Sequence, residues 1–229
     1  METNGLQLQK NWVISFDKLL AAINTTMTTH DILQHISEDF FKDNNSSDIE
    51  EMLENGIIDK EVNDTKWLGF PPANEQDIIK REKYLGITLP PSYRDFLLTS
   101  NGFRYISFFL DNLFPIEKIE WARNTEEEWW FQLLENCGTA VSDEQYFYYG
   151  KDQDTVLCRD EYFKESLKVS NWYDGMCVFL NPIIKFDDEW EVLVYATWYP
   201  GTRRFRSFKE FLIETHEENL ELLTARKRS

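Results

Sequence analysis

The chain has 229 residues, 42% of them hydrophobic and 15% aromatic, which is ample for a buried core and argues against disorder. Its 41 Asp and Glu against 24 Lys and Arg give a formal charge of −17, so a phosphate backbone is repelled and direct nucleic-acid binding is set aside. The uncharged stretches 19–30, 175–184 and 192–202 fall short of the roughly 18 residues of a membrane helix, and the first ten residues lack the regions of a secretion signal; no membrane contact and a cytoplasmic location are expected.

Trp12, Phe16, Leu19, Leu20 and Ile23 recur at helical spacing, as do Ile32, Leu33, Ile36 and Phe40 beyond a Thr-rich turn at 25–29, so two amphipathic helices open the chain. Ser47 with Glu50 matches a capping box and predicts a short third helix that stops at Asn55-Gly56. From Trp67 the sequence Trp-Leu-Gly-Phe-Pro-Pro-Ala excludes helix until Asn74 can cap a new one. A boundary near residue 65 divides a helical N-terminal extension, 1–66, from a domain at 67–229.

Helices are predicted over 74–85, closed by Gly86, and over 91–100, with Pro91 at its start and Asn101-Gly102 at its end. Beyond Gly102 the period shifts toward two in 105–110, 145–149, 155–158, 176–180 and 190–198, which predicts mostly antiparallel strands. Ser207 and Glu210 form a further capping box before a C-terminal helix carrying Phe208, Phe211, Leu212, Leu220, Leu222 and Leu223, with a basic tail after it. Helices, then sheet, then helix reads as α+β.

Catalytic signatures are sparse. The nine glycines are scattered with no two lying two residues apart, which removes dinucleotide and phosphate cradles. His30 and His35 are off the spacing that puts two ligands on one helix face, and His216 is distant in sequence, so no metal is expected and the early histidines read as surface residues. Cys137, Cys158 and Cys177 are odd in number and well separated, and read as reduced core fillers. No nucleophile elbow occurs, and no cofactor or enzymatic activity is expected.

Two acidic clusters adjoin tryptophan: Glu126, Glu127 and Glu128 before Trp129 and Trp130, and Asp187, Asp188 and Glu189 before Trp190. Sugars stack on Trp, and a glycosidase needs two carboxyl groups about 5–10 Å apart across a cleft, so a carbohydrate site is the hypothesis of a different class. Acidic clusters are more often solvated surface.

The order Leu85-Gly86, Leu89-Pro90-Pro91-Ser92-Tyr93-Arg94-Asp95-Phe96-Leu97, Ser100-Asn101-Gly102 resembles the SUKH superfamily. So does a second block of Asp174-Gly175, the strand 176–180, Asn181-Pro182, Trp190-Glu191, Trp198, Gly201, Ser207-Phe208 and Phe211-Leu212. The resemblance covers about 67–214. It implies a SUKH-like fold of helices, a mostly antiparallel sheet and a C-terminal helix, with the N-terminal segment as an addition that packs on the domain or contacts a partner.

Members of this superfamily include bacterial immunity proteins and a yeast regulator of cell-wall synthesis, and they resemble binding modules without catalysis. The resemblance therefore implies an immunity protein (antitoxin) that neutralises a cognate, basic toxin, a nuclease, by covering its active cleft; the alternative is a regulatory scaffold that uses residues 1–66 as its arm. Glu126, Glu127, Glu128, Trp129, Trp130, Asp187 and Asp188 are the candidate partner contacts. They are chosen on chemistry, because Trp anchors interfaces and carboxylates can stand where nucleic-acid phosphates would. Adjacent residues on a helix face different directions, so one of the two tryptophans is expected in the core. Oligomeric state is not legible.

Overall fold

The computed structural model describes residues 27–126, 128–137, 141–197 and 201–226. The helix expected around Trp12 to Ile23, together with Glu127 and Trp198, lies outside the described residues.

Thr28 caps α1 (Thr29–Asp43): its hydroxyl accepts from the Asp31 amide while the Asp31 carboxylate accepts from the Thr28 amide. Ile32, Leu33 and Ile36 form the buried stripe. Helix α2 (Ser46–Glu54) is capped by Asn45 with Asp48, not by Ser47 with Glu50. Asn is as good an N-cap as Ser, and the Asn45 carboxamide reaches both the Ser47 and Asp48 amides, so the helix starts earlier than expected. A one-turn helix missed in the sequence, α3 (Lys60–Thr65), is capped by Asp59 and ended by Lys66 at φ +56°.

Helices α4 (Glu75–Leu85) and α5 (Pro91–Thr99) stand where expected, α4 closed by left-handed Gly86. A separate hairpin follows, β1 (Phe103–Ser107) with β2 (Leu110–Leu113). The main sheet is an antiparallel meander of β3 (Glu120–Trp121), β4 (Leu167–Lys168), β5 (Met176–Phe186), β6 (Glu189–Ala196) and β7 (Thr202–Phe205), paired in that order. Between β3 and β4 come the short α6 (Ala122–Thr125), then α7 (Glu128–Cys137), α8 (Asp143–Tyr146) and α9 (Glu161–Lys164). The chain then forms α10 (Phe208–Arg226), where Ser207 accepts from the Glu210 amide and Glu210 returns its carboxylate to the Arg206 amide.

Both faces of the sheet are covered, which is why β5 and β6 read as almost continuous apolar runs. Met176, Val178, Leu180, Val192 and Val194 face the larger core with α1, α5 and α10; Cys177, Phe179 and Leu193 face a smaller one with Trp130, Phe131, Leu134 and Phe163. Helix α1 contributes Ile32, Leu33 and Ile36 to the larger core, and the Ser37 hydroxyl accepts from the Leu68 amide at 3.2 Å. The described N-terminal helices thus pack on the domain.

Two expected strands are absent. Residues 145–149 begin inside α8, because Ser142 and Gln145 form a capping box there. The hydroxyls of Tyr146 and Tyr149, one turn apart, both donate to the buried Glu191 carboxylate, at 2.9 and 2.6 Å. Residues 155–158 form a turn whose carbonyls are taken by other groups: Leu157 by the buried Arg204 guanidinium, Thr155 by the Thr202 amide. Gly201, at φ +109°, lies so close that a Cβ would fall 1.5 Å from the Thr155 carbonyl oxygen. Among the described residues no helix is long and apolar enough to cross a membrane.

Candidate functional site

Helix α5 begins after Pro90, which offers no side-chain cap. The cap comes from the β5–β6 hairpin instead: the Glu189 carboxylate accepts the Ser92 amide at 2.9 Å and the Ser92 hydroxyl at 2.6 Å. Negative charge at a helix N-terminus is stabilising. The Ser92 oxygen in turn accepts from the Phe208 amide at 3.1 Å, so one carboxylate and one hydroxyl join α5, the hairpin and α10.

Beneath α5, Glu82 is 9% exposed and accepts from the Leu89 amide at 2.8 Å and from Arg94, which also pairs with Glu75. These pairings fix the turn 86–90 and the first turn of α5. The result is an open groove of about 600 Å³ between α5 and the hairpin tip, lined by Leu89, Arg94, Asp95, Leu98, Asp187 and Asp188 among others. Asp187, at φ +52°, makes the tip, and both aspartates are exposed.

The other candidate contacts divide. Glu128 is exposed and accepts from Lys164 at 2.9 Å, and Trp129 is 59% exposed. Trp130 is 5% exposed, stacks on Phe179 and meets Phe163 and Trp172 edge-on, so it is a core residue and not a partner contact. One residue of rotation on α7 turns Trp130 inward with Phe131 and Leu134 and Trp129 outward. Glu126 is sheltered as well: it pairs with Lys168 and accepts from the Trp172 indole at 2.8 Å, with 9% of its side chain exposed. Its role is internal, because a carboxylate so enclosed must be paired.

The two acidic clusters do not form one site. Glu126 sits against Lys168, which pairs with Phe179, and the run of β5 from there to Asp187, at about 3.3 Å per residue, separates them by roughly 25 Å. That span is too long for two carboxyl groups acting on one glycosidic bond.

Burial pushes the Cys158 and Cys177 thiols up to about 12, which suits packing and not nucleophilic chemistry; the Cys137 side chain lies outside the described residues. Burial likewise raises Glu191, partly offset by hydrogen bonds from Tyr149, Asn181 and Tyr146 and by nearby Arg204. His30 and His35 are exposed, yet His35 stacks on His216 with centroids 5.5 Å apart, a pairing across the chain that spacing could not reveal. Among the described residues no group of three or more His, Cys, Asp or Glu is placed to hold a metal ion.

Asp187 and Asp188 stand out in the sequence by their charge, and Glu189 reads there as part of the same acidic surface. Its capping of a helix 97 residues away leaves no local signal. No curated protein matches the chain significantly. The family model described as SMI1/KNR4 (SUKH-1) matches residues 72–214, from the segment before α4 through the hairpin to the first turns of α10. Those residues hold the whole α5–Glu189–Ser92 junction and most of the chain, and the protein belongs to the SMI1/KNR4 (SUKH-1) family.

Proposed function

We propose that this chain is an immunity protein that binds a cognate basic toxin, a nuclease, one to one and blocks its active cleft without turning anything over. Family membership supports a binding role, and the charge of −17 supports a basic partner through electrostatic steering. The observation that carries the reading is the Asp187–Asp188 tip, exposed beside an open groove and held in place by the Glu189 cap. Two carboxylates on a fixed turn can meet cationic side chains that would otherwise hold phosphate. Among the described residues, Glu128 and Trp129 on α7 are the other exposed candidates.

For the scaffold alternative, α1 does not serve as a detached arm, since Ile32, Leu33 and Ile36 are part of the larger core.

The test is protection in cells. Coexpression with a basic nuclease toxin domain drawn from the genes that neighbour this one should restore growth, Asp187→Lys with Asp188→Lys should remove protection, and Trp129→Ala should weaken it. Full protection by the double lysine variant would overturn the assignment of the tip; failure of the unaltered chain to protect would overturn the toxin reading.

A further inference from the structure

A second cleft, of about 220 Å³, lies between the C-terminal parts of α1 and α10 and the β1–β2 hairpin. Its walls are aromatic: Phe40, Tyr105, Phe108 and Tyr173. Tyr105 is stacked on Phe40 at 5.2 Å and sits at a register irregularity in β1 with φ +50°, an unfavourable backbone conformation for a bulky side chain.

Asn219, 5% exposed, also lines the cleft. Its amide nitrogen donates to the Ile106 carbonyl at 3.1 Å, which fixes the orientation of the carboxamide and leaves Oδ1 without a hydrogen-bond partner among the described residues. That oxygen is itself enclosed, so it is a cost within the wall and not a contact offered to a ligand. The Asp39 carboxylate, which lines the cleft too, is engaged by Lys42 at 3.2 Å and faces His216 at 3.4 Å. Asp43 is taken by the chain's own end: its carboxylate accepts from Arg226 at 2.6 Å, and the Arg226 guanidinium lies 4.5 Å from the centre of the Phe108 ring.

At the rim of the cleft one guanidinium, 59% exposed, therefore already rests against an aromatic face and a carboxylate. A guanidinium is planar, stacks on aromatic rings and carries five donors in a fork, whereas an ammonium is a compact point charge.

We propose that this cleft is a receptor for an arginine side chain of the basic partner, and that Arg226 is the resident occupant which that arginine displaces. Only the source of the arginine rests on the toxin reading; the affinity of the cleft for a guanidinium does not.

The full-length chain carrying Arg226→Gln, titrated with N-acetyl-arginine amide and followed by the ring resonances of Tyr105 and Phe108, tests it. Saturable binding should be about tenfold tighter than to the unaltered chain and about tenfold tighter than for the lysine analogue. It should be absent for the uncharged citrulline analogue and lost when Asp43→Asn is added. No saturable shift, equal binding of citrulline or lysine, or indifference to Asp43→Asn would each overturn the proposal. Arg226→Ala is the second variant. Unfolding of both, read from the same spectra, would make Arg226 a structural clamp and also overturn it. No partner protein is present in this titration, so its failure leaves toxin capture standing, and failure of toxin capture leaves the cleft standing.

Discussion

Glu189 concentrates several structural duties in one carboxylate. It closes the N-terminus of α5, holds the Ser92 hydroxyl that receives the Phe208 amide, and fixes the turn that carries Asp187 and Asp188. Glu189→Ala should cost about 1–3 kcal/mol in urea unfolding, the cost of leaving these donors unmatched. Ser92→Ala should lose part of the same energy, and the double variant should cost less than the sum, since the two residues share one interaction.

His216 supplies a pH dependence. Burial holds its imidazole below the usual histidine range, with His35 adding to the effect and Asp39 opposing it. The unfolded chain therefore takes up the proton first, and stability present above about pH 6.5 declines as pH falls toward the folded value. His216→Gln should flatten stability between about pH 7 and 5; an unchanged slope would remove His216 as its source. Glu191 has the opposite sign, because burial raises its folded value: its contribution declines as pH rises from the ordinary glutamate range through that value.

At the scale of elements, α1 behaves as part of the domain although it precedes the matched family segment. Leu33 is fully buried on it, so Leu33→Ala should cost about 2–5 kcal/mol. Deleting 1–66 should leave a chain without cooperative unfolding or a near-ultraviolet dichroism signal. A cooperatively folding 67–229 fragment would make the boundary near residue 65 a true division.

Elements with strong punctuation were legible in the sequence: α4 between Asn74 and Gly86, α5 from Pro91, and β5 and β6 from their β-branched and aromatic runs. The two-residue strands β3 and β4 carry no period to read. In the segment 145–149 the aromatic residues favour strand, while Ser142 and the demand of Glu191 for two hydroxyls decide for a helical turn. Gly201 belongs to the family pattern, but its reason, the Thr155 carbonyl, comes from a contact distant in sequence. Asp187 and Asp188 stand out by charge, but the groove beside them requires the α5 junction; Trp130 turns inward only once α7 has a neighbour, and Glu126 only once β4 brings Lys168 to it.

For the whole molecule, the charge of −17 should act mainly on encounter. Association with the basic partner should slow as salt rises from about 0.05 to 0.5 M, with dissociation changing less. Rates independent of salt would contradict steering. The central claim is stoichiometric occupancy, and the most direct measurement is residual toxin activity against added chain at concentrations well above the dissociation constant. The account predicts a linear fall that reaches zero at one chain per toxin, with full activity recovered when the complex is dissociated. Inactivation by far less than one equivalent, or activity that does not return on dissociation, would show that the chain modifies its target and would contradict the account.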